Sequence, residues 1–105
     1  MTNYGFIVST VPDADEAKNL ASLLVQNKLA ACVNIVPGVL SIYSWEDKIC
    51  EDTELILFIK TKKELFEQVK DFILKTHSYT VPEVIMLPIE AGHADYLNWI
   101  KDNTI

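Results

Sequence analysis

The sequence predicts an α+β fold of βαββαβ order, ferredoxin-like, with an extra C-terminal helix. Three observations carry this expectation. Short β-branched apolar runs alternate with stretches whose apolar residues recur at helical spacing. Two of the helical stretches open on a capping-box spacing, Asp13/Glu16 and Thr61/Glu64. Between the helices, two β-like runs are joined by the polar segment Glu46-Asp47-Lys48, which reads as a hairpin turn. At 105 residues, the chain is expected to form a single domain, 1–105. A chain of this size buries roughly two thirds of its unfolded surface, enough for a core without staples.

In order, Tyr4 to Thr10 is apolar and β-branched, a strand. Asp13 caps a helix in which Ala17, Leu20, Ala21 and Leu24 share one face, ending near Asn27-Lys28. Ala31 to Ile35 is a second strand. Pro37-Gly38 interrupts it, and Val39 to Trp45 resumes the β pattern, so one long strand with a kink or bulge is expected. Glu54 to Lys60 is the returning strand. The second capping box opens a helix with Leu65, Val69, Phe72 and Ile73 on one face, and Lys75 and His77 at its C-terminal end complement the helix dipole. Val84 to Ile89 is the last strand. Gly92 precedes a short helix in which Tyr96, Trp99 and Ile100 share a face.

In such a fold both helices cover one face of the sheet, and a monomer would keep the other face polar. Here Ile56 and Phe58 of the third strand and Ile85, Leu87 and Ile89 of the fourth point to that second face. Burying each stabilises by roughly 1.5–3 kcal/mol, so a homo-oligomer that packs these faces is expected. The composition narrows the partners. The net charge is −6 and all nine basic residues are lysines, which argues against nucleic acid and against an anionic membrane surface. No apolar run approaches the ~20 residues that span a bilayer, and the first residues carry no basic n-region. Cys32 and Cys50 lack C-x-x-C spacing; Cys32 reads as a buried small hydrophobe, and the pair fits a reducing, cytoplasmic setting.

Several stretches in register are similar to the CutA family, the divalent-cation tolerance proteins. They are Ala30-Ala31-Cys32-Val33-Asn34-Ile35, Ser41-Ile42-Tyr43-Ser44-Trp45, Glu54, Lys60-Thr61, His77-Ser78-Tyr79-Thr80-Val81-Pro82-Glu83 and Tyr96-Leu97-Asn98-Trp99-Ile100. The resemblance implies a ferredoxin-like homotrimer built like the PII-type signal-transduction proteins, with the Val39–Lys60 hairpin pairing across subunits. It also implies a role in tolerance of divalent cations, copper above all. Some members carry a cysteine where Ser9 stands and a double histidine where Thr76-His77 stands.

The candidate site residues follow. His77 and Glu83 supply an imidazole and a carboxylate, suitable for copper or another divalent cation if an interface adds a further ligand. The alternative is a helix-end histidine, with Pro82 fixing a turn and Glu83 as a solvated strand start. The resemblance implies a ligand cleft between subunits, to which Tyr43, Trp45, Lys60 and Tyr79 are assigned; by residue type, Tyr43 and Trp45 are amphipathic aromatics suited to an interface. No Ser/His/Asp order, H-E-x-x-H or P-loop occurs, so no catalytic set is singled out. Three functions remain open. The first is a trimeric ion- or small-ligand-binding, signalling-type module in copper homeostasis, read by an unknown protein partner. The second is a scaffold trimer. The third is a small enzyme using the cleft, with His77 as general acid or base.

Overall fold

Tyr4–Val11 alternates half-buried with buried residues along its whole length, the period-2 signature of a strand covered on one face, and this is β1. It lies inside a four-stranded antiparallel sheet whose order is Cys32–Trp45 (β2), Lys48–Lys62 (β3), β1 and Ile85–Pro88 (β4). The computed structural model describes residues 2–105; Met1, where the expected 1–105 domain begins, lies outside the described residues.

Asp13 Oδ1 accepts the Glu16 N–H at 2.8 Å and caps α1, Ala14–Gln26. Glu16 does not complete the expected capping box, because its carboxylate reaches Ser78 instead. Ala17, Leu20 and Leu24 bury the helix's apolar face. The second strand, β2, runs unbroken over Cys32–Trp45. Its register against β3 (Lys48–Lys62) slips between Val36 and Val39, where Pro37 cannot donate to the ladder and Gly38 takes φ 72°. The bulge is therefore where the sequence placed it.

The hairpin is longer than expected. Its return strand begins at Lys48 rather than Glu54, since Ile49 to Thr53 pair with β2 although they face solvent. The Thr61/Glu64 capping box is a second correction. Thr61 is a buried strand residue whose hydroxyl donates to the Leu29 carbonyl at 2.6 Å, and a 3-10 turn over Lys63–Leu65 leads into α2, Phe66–Thr76. Leu65, at the N-cap position just before that helix, makes no side-chain cap.

The last strand is short, β4 over Ile85–Pro88, and α3 follows over Ala94–Asp102. At Gly5 a Cβ would come within 2.9 Å of the Leu87 carbonyl, so only glycine allows β4 so close to β1. The core lies between the helices and one sheet face, built from Ile7, Val11, Leu20, Leu24, Leu57, Ile59, Val69 and Ile73. The other face carries Phe6 edge-on to Phe58 with ring centroids 5.9 Å apart, and the exposed Ile85 and Leu87. Beyond the bulge the hairpin extends the molecule to 44 Å in its longest dimension and leaves Leu40, Ile42 and Ile49 in solvent.

Candidate functional site

Antiparallel partners share a face of the sheet. The register pairs Val39 with Glu54, Ser41 with Asp52, Tyr43 with Cys50 and Trp45 with Lys48, which gathers these side chains on one face of the hairpin. The chain leaving α2 runs past this face on its way to β4. Between them lies a cleft of about 640 Å³, lined on the hairpin side by Ser41, Ile42, Tyr43, Trp45 and Glu54. Thr10 at the end of β1, Ser78, Tyr79, Thr80, Val81 and Glu83 close the opposite side.

Two phenol–carboxylate pairs organise the cleft. Tyr79 donates its hydroxyl to Glu54 Oε2 at 2.6 Å. Burial, and then this bond, hold its phenol well above the ordinary value. Tyr43 donates to Asp52 Oδ2, and that bond, with some burial, pushes the phenol up to about 12. Glu83 stands apart from both pairs. Burial and the neighbouring Glu54 charge raise its carboxyl above the usual range.

His77 lies behind the wall of the cleft with its side chain wholly enclosed. Its Nε2 lies 2.7 Å from the Thr10 carbonyl, and the Tyr79 N–H donates to Nδ1 at 3.0 Å. Those two partners assign the proton to Nε2, because a carbonyl can only accept. Glu16 lies 3.4 Å from Nδ1 and accepts both the Ser78 hydroxyl, at 2.7 Å, and the Ser78 N–H, at 3.1 Å. His77 and Glu16 thus fasten the start of the 77–84 segment to β1 and α1. The His77 and Tyr79 rings sit 4.6 Å apart, so the same anchor sets Tyr79 against Glu54. His77 also closes α2 as its C-terminal cap residue, its N–H donating to the Ile73 carbonyl.

Of the residues expected in the cleft, Tyr43, Trp45 and Tyr79 line it, and so does Glu83. Lys60 does not. It pairs with Phe6 and Cys32 and its ammonium donates to Asn34, six strand residues and so roughly 20 Å from Glu54. Sequence reasoning missed Glu54, Thr10 and Val81 as lining residues. Glu54 had a visible signal: a carboxylate opening the apolar run Leu55-Ile56-Leu57-Phe58-Ile59 is buried only if something bonds it. Cys32 and Cys50 are free thiols, both half-buried, so Cys32 is less enclosed than its apolar neighbours suggested. Among the described residues no three His, Cys, Asp or Glu side chains converge on a point that would hold a metal ion. One chain alone therefore does not furnish a closed cation site, and no step is derived through a resident metal. No helix among the described residues is long and apolar enough to cross a membrane.

Comparison with known proteins gives a consistent answer. Residues 6–103 match the family model described as CutA1 divalent ion tolerance protein. The chain is 46% identical over 98 residues to the divalent-cation tolerance protein CutA of Thermus thermophilus, covering 93% of this chain and 95% of that one. It is 50% identical over 95 residues to the chloroplastic protein CutA of Arabidopsis thaliana, covering 90% of this chain but 52% of the relative; the chain spans about half the length of that plant protein. The crystal structure of CutA1 from Oryza sativa superposes with a TM-score of 0.95 at 44% identity, covering 97% of this chain and 94% of that one.

Proposed function

The chain belongs to the CutA1 divalent ion tolerance family, and from that premise we propose that it is a homotrimeric, PII-like module of divalent-cation homeostasis. Copper is the ion put forward, and the cytoplasm the compartment, where two free cysteines stay reduced. The observation that carries the reading is the cleft itself. It is large enough for a small ligand, it contains the buried carboxylate Glu54 and the exposed Glu83, and it opens beside the apolar hairpin. Packing subunits through that hairpin would bury Leu40, Ile42 and Ile49 and cover the long β2 edge. It would also bring a neighbour's side chains to the cleft, supplying ligands that one chain lacks.

Glu83 is the ion ligand available without rearrangement. His77 could add its Nδ1 only by releasing the Tyr79 N–H. The scaffold reading draws on the same exposed hairpin and requires no ligand. The enzyme reading is weakened, since both His77 ring nitrogens are already engaged in the fold.

Native mass spectrometry with and without an equivalent of Cu(II) tests the proposal. The expected spectrum is a trimer that takes up copper, with uptake lost in Glu83→Ala. A trimer that takes none would move the function to a small ligand or a scaffold. A monomer would overturn the oligomeric part outright.

A further inference from the structure

The cleft has an unusual balance of hydrogen-bonding groups. Its lining includes two carboxylates, Glu54 and Glu83, and no lysine or histidine among the described residues. Three of its donors are already committed, while the Thr10, Ser41 and Thr80 hydroxyls and the Trp45 indole N–H are uncharged donors. Tyr79 donates to Glu54, Tyr43 to Asp52 and the Ser78 hydroxyl to Glu16. The only charged groups facing a ligand are carboxylates, set among aromatic rings, so the ligand must bring positive charge. The size adds a constraint. A volume of about 640 Å³ lies within the range of small-molecule sites and far exceeds what a bare ion fills. The lining also carries exposed hydrocarbon, with Val81 at 69% exposure.

We propose that the cleft binds an aliphatic ammonium ligand, its cationic head among the Glu54 and Glu83 carboxylates and the Tyr43, Trp45 and Tyr79 rings, its hydrocarbon body along Val81. A primary ammonium supplies three donors and a positive charge, the complement of the two carboxylates. Aromatic faces attract such a cation further. A phosphate or carboxylate ligand would meet Glu54 and Glu83 with no cation to offset them. The inference deepens the reading of the cleft as a binding site and rests on it.

The test is isothermal titration calorimetry on the whole protein with putrescine, with butanediol as the neutral isostere and succinate as the anionic one. Putrescine is expected to bind saturably while the other two give no binding heat. Glu83→Gln, at an exposed position the fold does not depend on, is expected to weaken putrescine about tenfold or more, the effect of losing one charge-assisted contact. Glu51→Gln removes an equal charge from the same hairpin outside the cleft and should leave binding unchanged. Putrescine binding no tighter than butanediol would overturn the proposal. So would an equal loss in Glu51→Gln, which would mean general attraction to an acidic chain. If putrescine fails while Cu(II) still loads through Glu83, the ligand class falls and the cleft stands; if neither is held, the cleft reading falls too.

Discussion

Ser9 sits on the inner face of β1, fully buried, and among the described residues its hydroxyl has no hydrogen-bond partner. An unmet buried hydroxyl is a standing cost, and alanine removes it with little loss of volume. Ser9→Ala is expected to raise unfolding stability by about 1 kcal/mol, read from urea denaturation midpoints. A loss of stability would mean that the hydroxyl has a partner after all. Tyr43 gives a prediction in pH. Its folded phenol is raised to about 12 by the bond to Asp52, above the ordinary value near 10. The contribution of that bond is therefore fully present below pH ~10 and lost as pH rises through about 12. Alkaline unfolding of the native chain should show this loss and Tyr43→Phe should not, with phenolate absorbance tracking the titration. Equal alkaline behaviour in the two proteins would remove the Tyr43–Asp52 bond from the account.

At the scale of elements, the hairpin turn is the clearest point of strain. Glu46 and Asp47 both take positive φ, 49° and 62°, the mark of a two-residue type I′ turn. Neither residue is the glycine or asparagine such a turn favours. Asp47→Gly is expected to stabilise by about 0.5–1 kcal/mol, measured by thermal melting, unless the turn relaxes to another type. The turn also shows how far elements were legible in the sequence. Asp13 and Thr61 carry the same capping spacing, yet only Asp13 caps a helix. A short carboxylate accepts N–H groups wherever the chain turns, whereas a threonine is equally at home in a strand, and Leu29 supplied a buried carbonyl for Thr61 to satisfy. The first residues of β3 were missed because Glu51, Asp52 and Thr53 are exposed and polar, so no period-2 burial marked them. Tyr43, Trp45, Tyr79 and Glu83, singled out through the family resemblance, lie together in the cleft of one chain. Lys60 was misplaced because strand register, not residue type, decides which end of the sheet a side chain reaches.

For the whole molecule, the balance of apolar surface decides the state in solution. Leu40, Ile42 and Ile49 are each more than 60% exposed on the extended hairpin, and Ile85 and Leu87 are exposed on the sheet's open face. Patches of this kind are usually covered by a partner. Light scattering at micromolar concentration is expected to report an oligomer, and Ile42→Lys with Ile49→Lys to shift it towards monomer with the far-ultraviolet spectrum retained. A native monomer would show that the patch is tolerated bare. The sheet order has a further consequence, for the chain during its synthesis. The strand made first, β1, is a central one, and both its neighbours come late: Gly5 pairs with Thr61 on one side and with Pro88 on the other. At ordinary elongation rates the ribosome needs roughly 3–11 seconds to make the ~56 residues between Gly5 and its first partner, Thr61. Throughout that interval Phe6, Ile7 and Val8 have no native sheet partner. The architecture therefore leaves the nascent β1 segment unpaired while β2 and β3 are made, and it postpones sheet completion until β4 has emerged.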